Sequence, residues 1–153
     1  MKKLFMLVAL GLFFVTSSAL AQNRADVIRL WKTIDDETNK PKSIVQLYEE
    51  NGKLYGKVIK LFREPGEEQN PVCDECDDDD PRYNKPVIGM QIITDMEWDD
   101  DDGEWEDGEI LDPANGSVYD CQLWIDEDTG NLRVRGYLYF LYRTQTWLPY
   151  DGN

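Results

Sequence analysis

Residues 131–142, NLRVRGYLYFLY, show the clearest alternation of apolar and polar side chains in the chain. Leu132, Val134, Leu138 and Phe140 fall on one face of an extended segment, and Arg133, Arg135, Tyr137 and Tyr139 on the other. Period two marks a half-buried β-strand, because successive side chains point to opposite faces. The same reading predicts strands over 28–34, 43–50, 53–62, 87–96, 104–111 and 117–126, with a short last strand over 144–148. In the sixth, Tyr119, Cys121, Leu123 and Ile125 share a face opposite Asp120, Gln122 and Trp124. Asn51-Gly52 between two apolar runs is a strong hairpin signal, since both central residues of the favoured turn take positive φ. Asp112-Pro113-Ala114-Asn115-Gly116 and the stretch EDTGN read as further turns.

No window downstream of the leader repeats apolar residues at helical spacing over three turns, although 22–30 could form a short helical turn. Eight short strands joined mainly by hairpins imply an antiparallel meander. Its edges must be covered, and rolling the sheet into a barrel removes them. The expected fold is therefore all-β, a single antiparallel up-and-down β-barrel of about eight strands. A sandwich fits the strand count too, but sequence-adjacent hairpins favour the simple meander. At this size the interior is either filled by side chains or left open for one small ligand.

The first residues change the picture of location rather than of fold. Lys2 and Lys3 precede an apolar run from Leu4 to Val15, and Ala19-Leu20-Ala21 resembles an export cleavage site. The expectation is a signal peptide at 1–21, a single barrel domain at 22–153, and a periplasmic or secreted location. No cysteine follows the apolar run to accept a lipid, and no later segment has the length of a membrane-spanning helix.

Composition narrows the chemistry. The chain carries 31 acidic and 16 basic residues, a formal charge of −15, which disfavours nucleic acid and anionic membrane surfaces as partners. It has no histidine. That excludes Ser-His-Asp and Cys-His nucleophile systems and His-ligated zinc. No cofactor is indicated.

Cys73 and Cys76 stand three apart in the loop NPVCDECDDDDPRYNKP. A reactive thiol pair needs cations or a helix N-terminus to stabilise thiolate, whereas here Asp74, Glu75 and Asp77 to Asp80 surround it. Zinc would lack a fourth cysteine or any histidine. The expectation is a Cys73–Cys76 disulfide that clips a long loop. Cys121 then reads as a buried free thiol, and a bridge from Cys121 to either loop cysteine stays open as the alternative. Asp100-x-Asp102-Gly103 with Glu109 only partly overlaps a calcium loop and is flanked by strands, so metal centres are not expected. Weak calcium binding by the crowded acidic turns stays open. Glu104, Glu106, Asp107 and Glu109 beside Trp105 form the one carboxylate cluster near an aromatic strand, the basis for a less favoured hydrolase reading.

Several stretches together resemble a known family: LWKTIDDETNKPKSIVQLYEENGKLYGKVIKLF, the Cys-x-x-Cys loop, KPVIGMQII, GEWEDGEILDPANGSVYDCQLWI, LRVRGYLYF and RTQTW. They resemble the exported bacterial proteins catalogued as domain of unknown function 2147, across about 28–148. The resemblance implies a lipocalin-like barrel and an exported location, with no established activity. Lipocalins open on Gly-x-Trp, with an arginine stacked on the tryptophan. Trp31 matches, but Arg29 stands where glycine is expected. Arg143 is the best-placed stacking candidate, with Arg135 second.

The leading functional expectation is non-enzymatic binding of a small apolar molecule, with Trp31, Tyr55, Trp105, Tyr137, Trp147 and Arg143 as candidate ligand contacts. The alternative is a cell-envelope or protein interaction module with a filled barrel, whose contact ridge would be Arg133, Arg135, Tyr137 and Tyr139.

Overall fold

A computed structural model describes residues 23–152; the expected signal peptide at 1–21 lies outside the described residues. Eight strands follow one another: β1 Leu30–Ile34, β2 Pro41–Glu50, β3 Lys53–Leu61, β4 Gln91–Asp99, β5 Glu104–Asp112, β6 Ser117–Ile125, β7 Leu132–Leu138 and β8 Leu141–Pro149. Each pairs antiparallel with the next, and β8 returns to β1 through Trp31↔Pro149 and Lys32↔Leu148, closing the barrel. Among the described residues no helix is long and apolar enough to cross a membrane.

The alternation expected on β6 and β7 is present. Cys121 pairs with Gly136, Leu123 with Val134, and Leu132 with Trp147, and these residues face inward. On β4 and β5 the phase slips. Between Leu54↔Met96 and Gly56↔Ile93, β4 spends three residues against two on β3. Between Trp105↔Leu123 and Gly108↔Cys121, β5 does the same against β6. Asp95 and Asp107 sit at these bulges with φ of 58° and 56°, a conformation that aspartate tolerates better than most side chains. Each bulge turns the strand by one position, so Ile93 and Met96, and Trp105 and Gly108, all reach the interior.

The segment read as one strand over 131–142 is two. The chain reverses at Tyr139 and Phe140, with Tyr139 at φ 56°, and β8 begins at Leu141. A tight hairpin turn usually carries Asn or Gly at such positions; aromatic residues there left no turn signal. The fourth strand also begins later than expected, at Gln91, because Val87–Met90 form a turn hydrogen-bonded from Met90 N to Val87 O (3.1 Å).

In a closed meander the connections alternate between the two ends. The turns β2–β3, β4–β5 and β6–β7 gather at one end with residues 23–29. The connections β1–β2, β3–β4, β5–β6 and β7–β8 gather at the other.

Candidate functional site

The first of these ends is shut. Residues 24–27 turn across it, and two buried indoles hold the turn in place. Trp31 Nε1 donates to Val27 O at 2.8 Å, and Trp105 Nε1 to Arg24 O at 3.2 Å. Both donors are thereby satisfied, which burial of an indole requires. The Arg29 guanidinium lies 5.5 Å from the centre of the Trp31 ring, and Arg24 lies 5.2 Å from that of Trp105. Arg29 therefore supplies the arginine stack expected of Arg143 or Arg135. Trp31 belongs to the shut end, whereas Arg143 lies toward the opposite mouth and Arg135 stacks on Trp124 and Tyr142.

The other end opens into a cavity of about 860 Å³. Its apolar wall includes Val58, Leu61, Ile92, Ile110, Val134 and Trp147. Polar groups form a band nearer the mouth. Thr33 and Ser43 share a hydroxyl hydrogen bond at 2.7 Å. Gln145 accepts from Trp147 Nε1 at 3.1 Å and donates to Asp36 at 3.2 Å, while Arg143 pairs with the same carboxylate. Among the described residues no buried side-chain nitrogen or oxygen lacks a partner. The cavity thus combines an apolar wall with a polar, charged mouth that includes Asp36, Glu37, Lys42, Arg63, Asp112 and Arg143.

Small side chains help keep it open. Gly136 lines the wall, and a β-carbon there would stand 3.3 Å from Tyr119 Cβ and 3.8 Å from Ile110 Cγ2. The disulfide loop builds one side of the mouth. Cys73 and Cys76 are joined and buried, and Cys121 is a separate buried thiol, so the alternative bridge does not form. Cys73 N donates to Lys85 O and Asn84 N to Cys73 O, both at 2.9 Å, while Pro71, Val72 and Asp74 face the cavity. Gly116, in the β5–β6 turn, lies so close to this loop that a β-carbon would fall 1.8 Å from Glu75 O. Only glycine fits that approach, and its φ of 71° is one that glycine adopts without strain.

The six expected contacts separate. Trp147 lines the cavity and Arg143 its mouth. Trp31 and Trp105 plug the shut end. Tyr55 and Tyr137 point outward, which corrects their placement in the wall. Tyr55 donates to Asp95 at 3.0 Å and stacks on Tyr48, and Tyr137 donates to Gln122 at 2.7 Å. The physical reason is parity: each is next in sequence to a residue that faces inward, Gly56 and Gly136 respectively. Sequence reading missed Val58, Ile110, Val134 and Gly136 as wall residues. The inward face of β7 carried that signal, once Leu132 and Val134 are known to point to the core.

The carboxylates around Trp105 lie outside the barrel. Glu104 accepts a short hydrogen bond from Gln122, and loss of solvent raises the carboxyl above its ordinary range. Glu106 is raised for the same reason, with Asp107 adding repulsion. Neither faces the cavity. Among the described residues no group of three or more acidic or cysteine side chains is arranged to hold a metal ion. In the β4–β5 turn, Asp99 instead accepts from the backbone of Asp101 at 2.7 Å and Asp102 at 3.1 Å, which holds its pKa down.

An eight-stranded antiparallel barrel shut at one end and hollow at the other is a lipocalin-like architecture. The structure of protein HP1028 from the human pathogen Helicobacter pylori, described as belonging to the lipocalin family, matches it with a TM-score of 0.65. That match has 17% identity and covers 82% of this chain and 84% of that one, a likeness of fold. The chain belongs to the family described as uncharacterized proteins conserved in bacteria, DUF2147, which matches residues 30–148. No curated protein matches it.

Proposed function

We propose that this protein is an exported, non-enzymatic binder of a small, mainly apolar molecule, held in the barrel and entering by the open end. The observation that carries this reading is the cavity itself. Its volume of about 860 Å³ falls within the roughly 300–1,000 Å³ range of small-molecule sites. Its wall includes the aliphatic and aromatic side chains Val58, Leu61, Ile92, Ile110, Val134 and Trp147, and at the mouth Thr33 is bonded to Ser43 and Arg143 to Asp36. An apolar ligand body gains from leaving water against the Val58, Ile92, Val134 and Trp147 wall. The carboxylate cluster that would support hydrolysis sits on the outer surface, away from this space.

Native mass spectrometry of protein purified from its own cell envelope tests the reading. The expected result is a complex heavier than the chain by one small molecule, released when the barrel is unfolded. Bare protein that also fails to take up an apolar fluorescent probe would refute it.

A further inference from the structure

The cavity holds a buried hydroxyl pair with a proton to spare. Thr33 on β1 and Ser43 on β2 are register partners, and both line the space. Thr33 is 6% and Ser43 7% exposed, and among the described residues they are the only buried polar ones. Their neighbours on the inward rows, Trp31 two residues along β1 and Val45 two along β2, are apolar. Two hydroxyls in such a row cost desolvation that aliphatic side chains would avoid.

Each hydroxyl offers one proton and two lone pairs. Thr33 Oγ1 accepts from Ser43 N at 3.0 Å and shares a 2.7 Å bond with Ser43 Oγ. That shared bond uses one of the two hydroxyl protons. If Ser43 donates it, the Thr33 proton finds Ser43 O at 3.5 Å, beyond the usual range. If Thr33 donates it, the Ser43 proton is left for the cavity. An oxygen acceptor in the cavity selects the second arrangement. It completes a chain from Ser43 N–H through the Thr33 hydroxyl to the Ser43 hydroxyl and the acceptor, in which each bond polarises the next.

The rim sets the charge of what passes it. Five carboxylates line the cavity, Asp35, Asp36, Glu37, Asp74 and Asp112, against three cations. Arg143 is paired with Asp36, and Lys42 reaches Asp112 at 3.9 Å. The net negative rim disfavours an anionic ligand.

We propose that Ser43 Oγ is the hydrogen-bond donor that fixes the ligand, and that the ligand is a neutral lipophilic molecule carrying a carbonyl oxygen. This rests on the cavity being the binding space, and gives that space one polar contact. Leu61, paired with Ser43 across β2–β3, and Val58 and Trp147 line the same cavity, so carbon chain on either side of the oxygen meets apolar wall. A carbonyl accepts without bringing a proton that needs a partner of its own.

Displacement of an apolar fluorescent dye by octane, 2-octanone and octanoate tests the proposal on the wild type and Ser43→Ala. The variant keeps the backbone N–H bond to Thr33, and thermal melts check that it folds. Affinity for 2-octanone should fall roughly fivefold in Ser43→Ala, the worth of one ordinary hydrogen bond. Octane should bind both proteins alike, and octanoate should bind the wild type more weakly than the ketone. Comparing proteins ligand by ligand cancels the ketone's own preference for water. Infrared difference spectra supply a second measurement: the bound carbonyl band should lie at lower wavenumber in the wild type than in Ser43→Ala. Equal losses for octane and ketone, no loss for either, a carbonyl band that does not move, or octanoate binding best would overturn the proposal. In those cases uptake of dye and octane would leave the cavity standing as an apolar site. A folded wild type that takes up neither the dye nor any of the three would refute the binding space itself, and this contact with it.

Discussion

Gly136→Leu separates a hollow that binds from a hollow that is merely present. The leucine adds a β-carbon at a position that lines the cavity, 3.3 Å from Tyr119 Cβ, and three further carbons that can extend only into free space or against Ile110. Those atoms occupy the room of about three to four ligand methylenes. At roughly 0.8 kcal/mol per buried methylene, a ligand that fills the cavity loses about 2.5–3 kcal/mol, close to a hundredfold in affinity. The fold should change little. Removing glycine from a strand gains about 0.5–1 kcal/mol, and the tight Tyr119 contact offsets a similar amount. Gly136→Ala adds one carbon and should cost the ligand no more than about fivefold, on the same per-methylene scale. The assay is titration with a series of apolar fluorescent probes of increasing chain length, beside thermal melts of all three proteins. The longest probe that binds tightly should shorten by three to four carbons in the leucine variant. Unchanged affinity across the series, with an unchanged melting temperature, would place the probe outside the barrel and refute the reasoning.

Trp31→Ala removes a side chain that is 1% exposed and its hydrogen bond to Val27 O. Large-to-small core changes of this kind cost about 3–5 kcal/mol, so a thermal melt should show a midpoint lower by roughly 10–20 °C. Burial pushes the Cys121 thiol up to about 12 from an ordinary 9.0. Its folded pKa is above its unfolded one, so the corresponding stability is fully present below pH 9 and is lost as pH rises toward 12. Cys121→Ala should flatten that part of a denaturation-versus-pH profile, and an alkylating reagent at pH 8 should label the wild type only after unfolding.

Much of the barrel is legible from residue order, because period-two alternation is a local property. The hairpin at Asn51-Gly52 could be placed because its turn carries its own chemistry: Asn51 has φ 53° and Gly52 φ 81°. The Cys73–Cys76 pair could be joined because its neighbours disfavour thiolate. The Tyr139 turn was hidden for the converse reason, since aromatic residues in a positive-φ turn imitate a continuing strand. The bulges at Asp95 and Asp107 were hidden likewise. One extra residue in a ladder leaves the composition of a strand unchanged but exchanges its faces.

The sequence by itself determined an acidic chain without histidine, eight strands in consecutive antiparallel order, and a clipped loop between the third and fourth. Each of these depends on neighbours along the chain. Only the tertiary structure decided which face turns inward, that Arg29 rather than Arg143 covers Trp31, and that the interior is hollow. A cavity is the volume left over once every wall has taken its position. It depends on side chains from several strands meeting across a closed barrel, a sum that no single stretch of sequence contains.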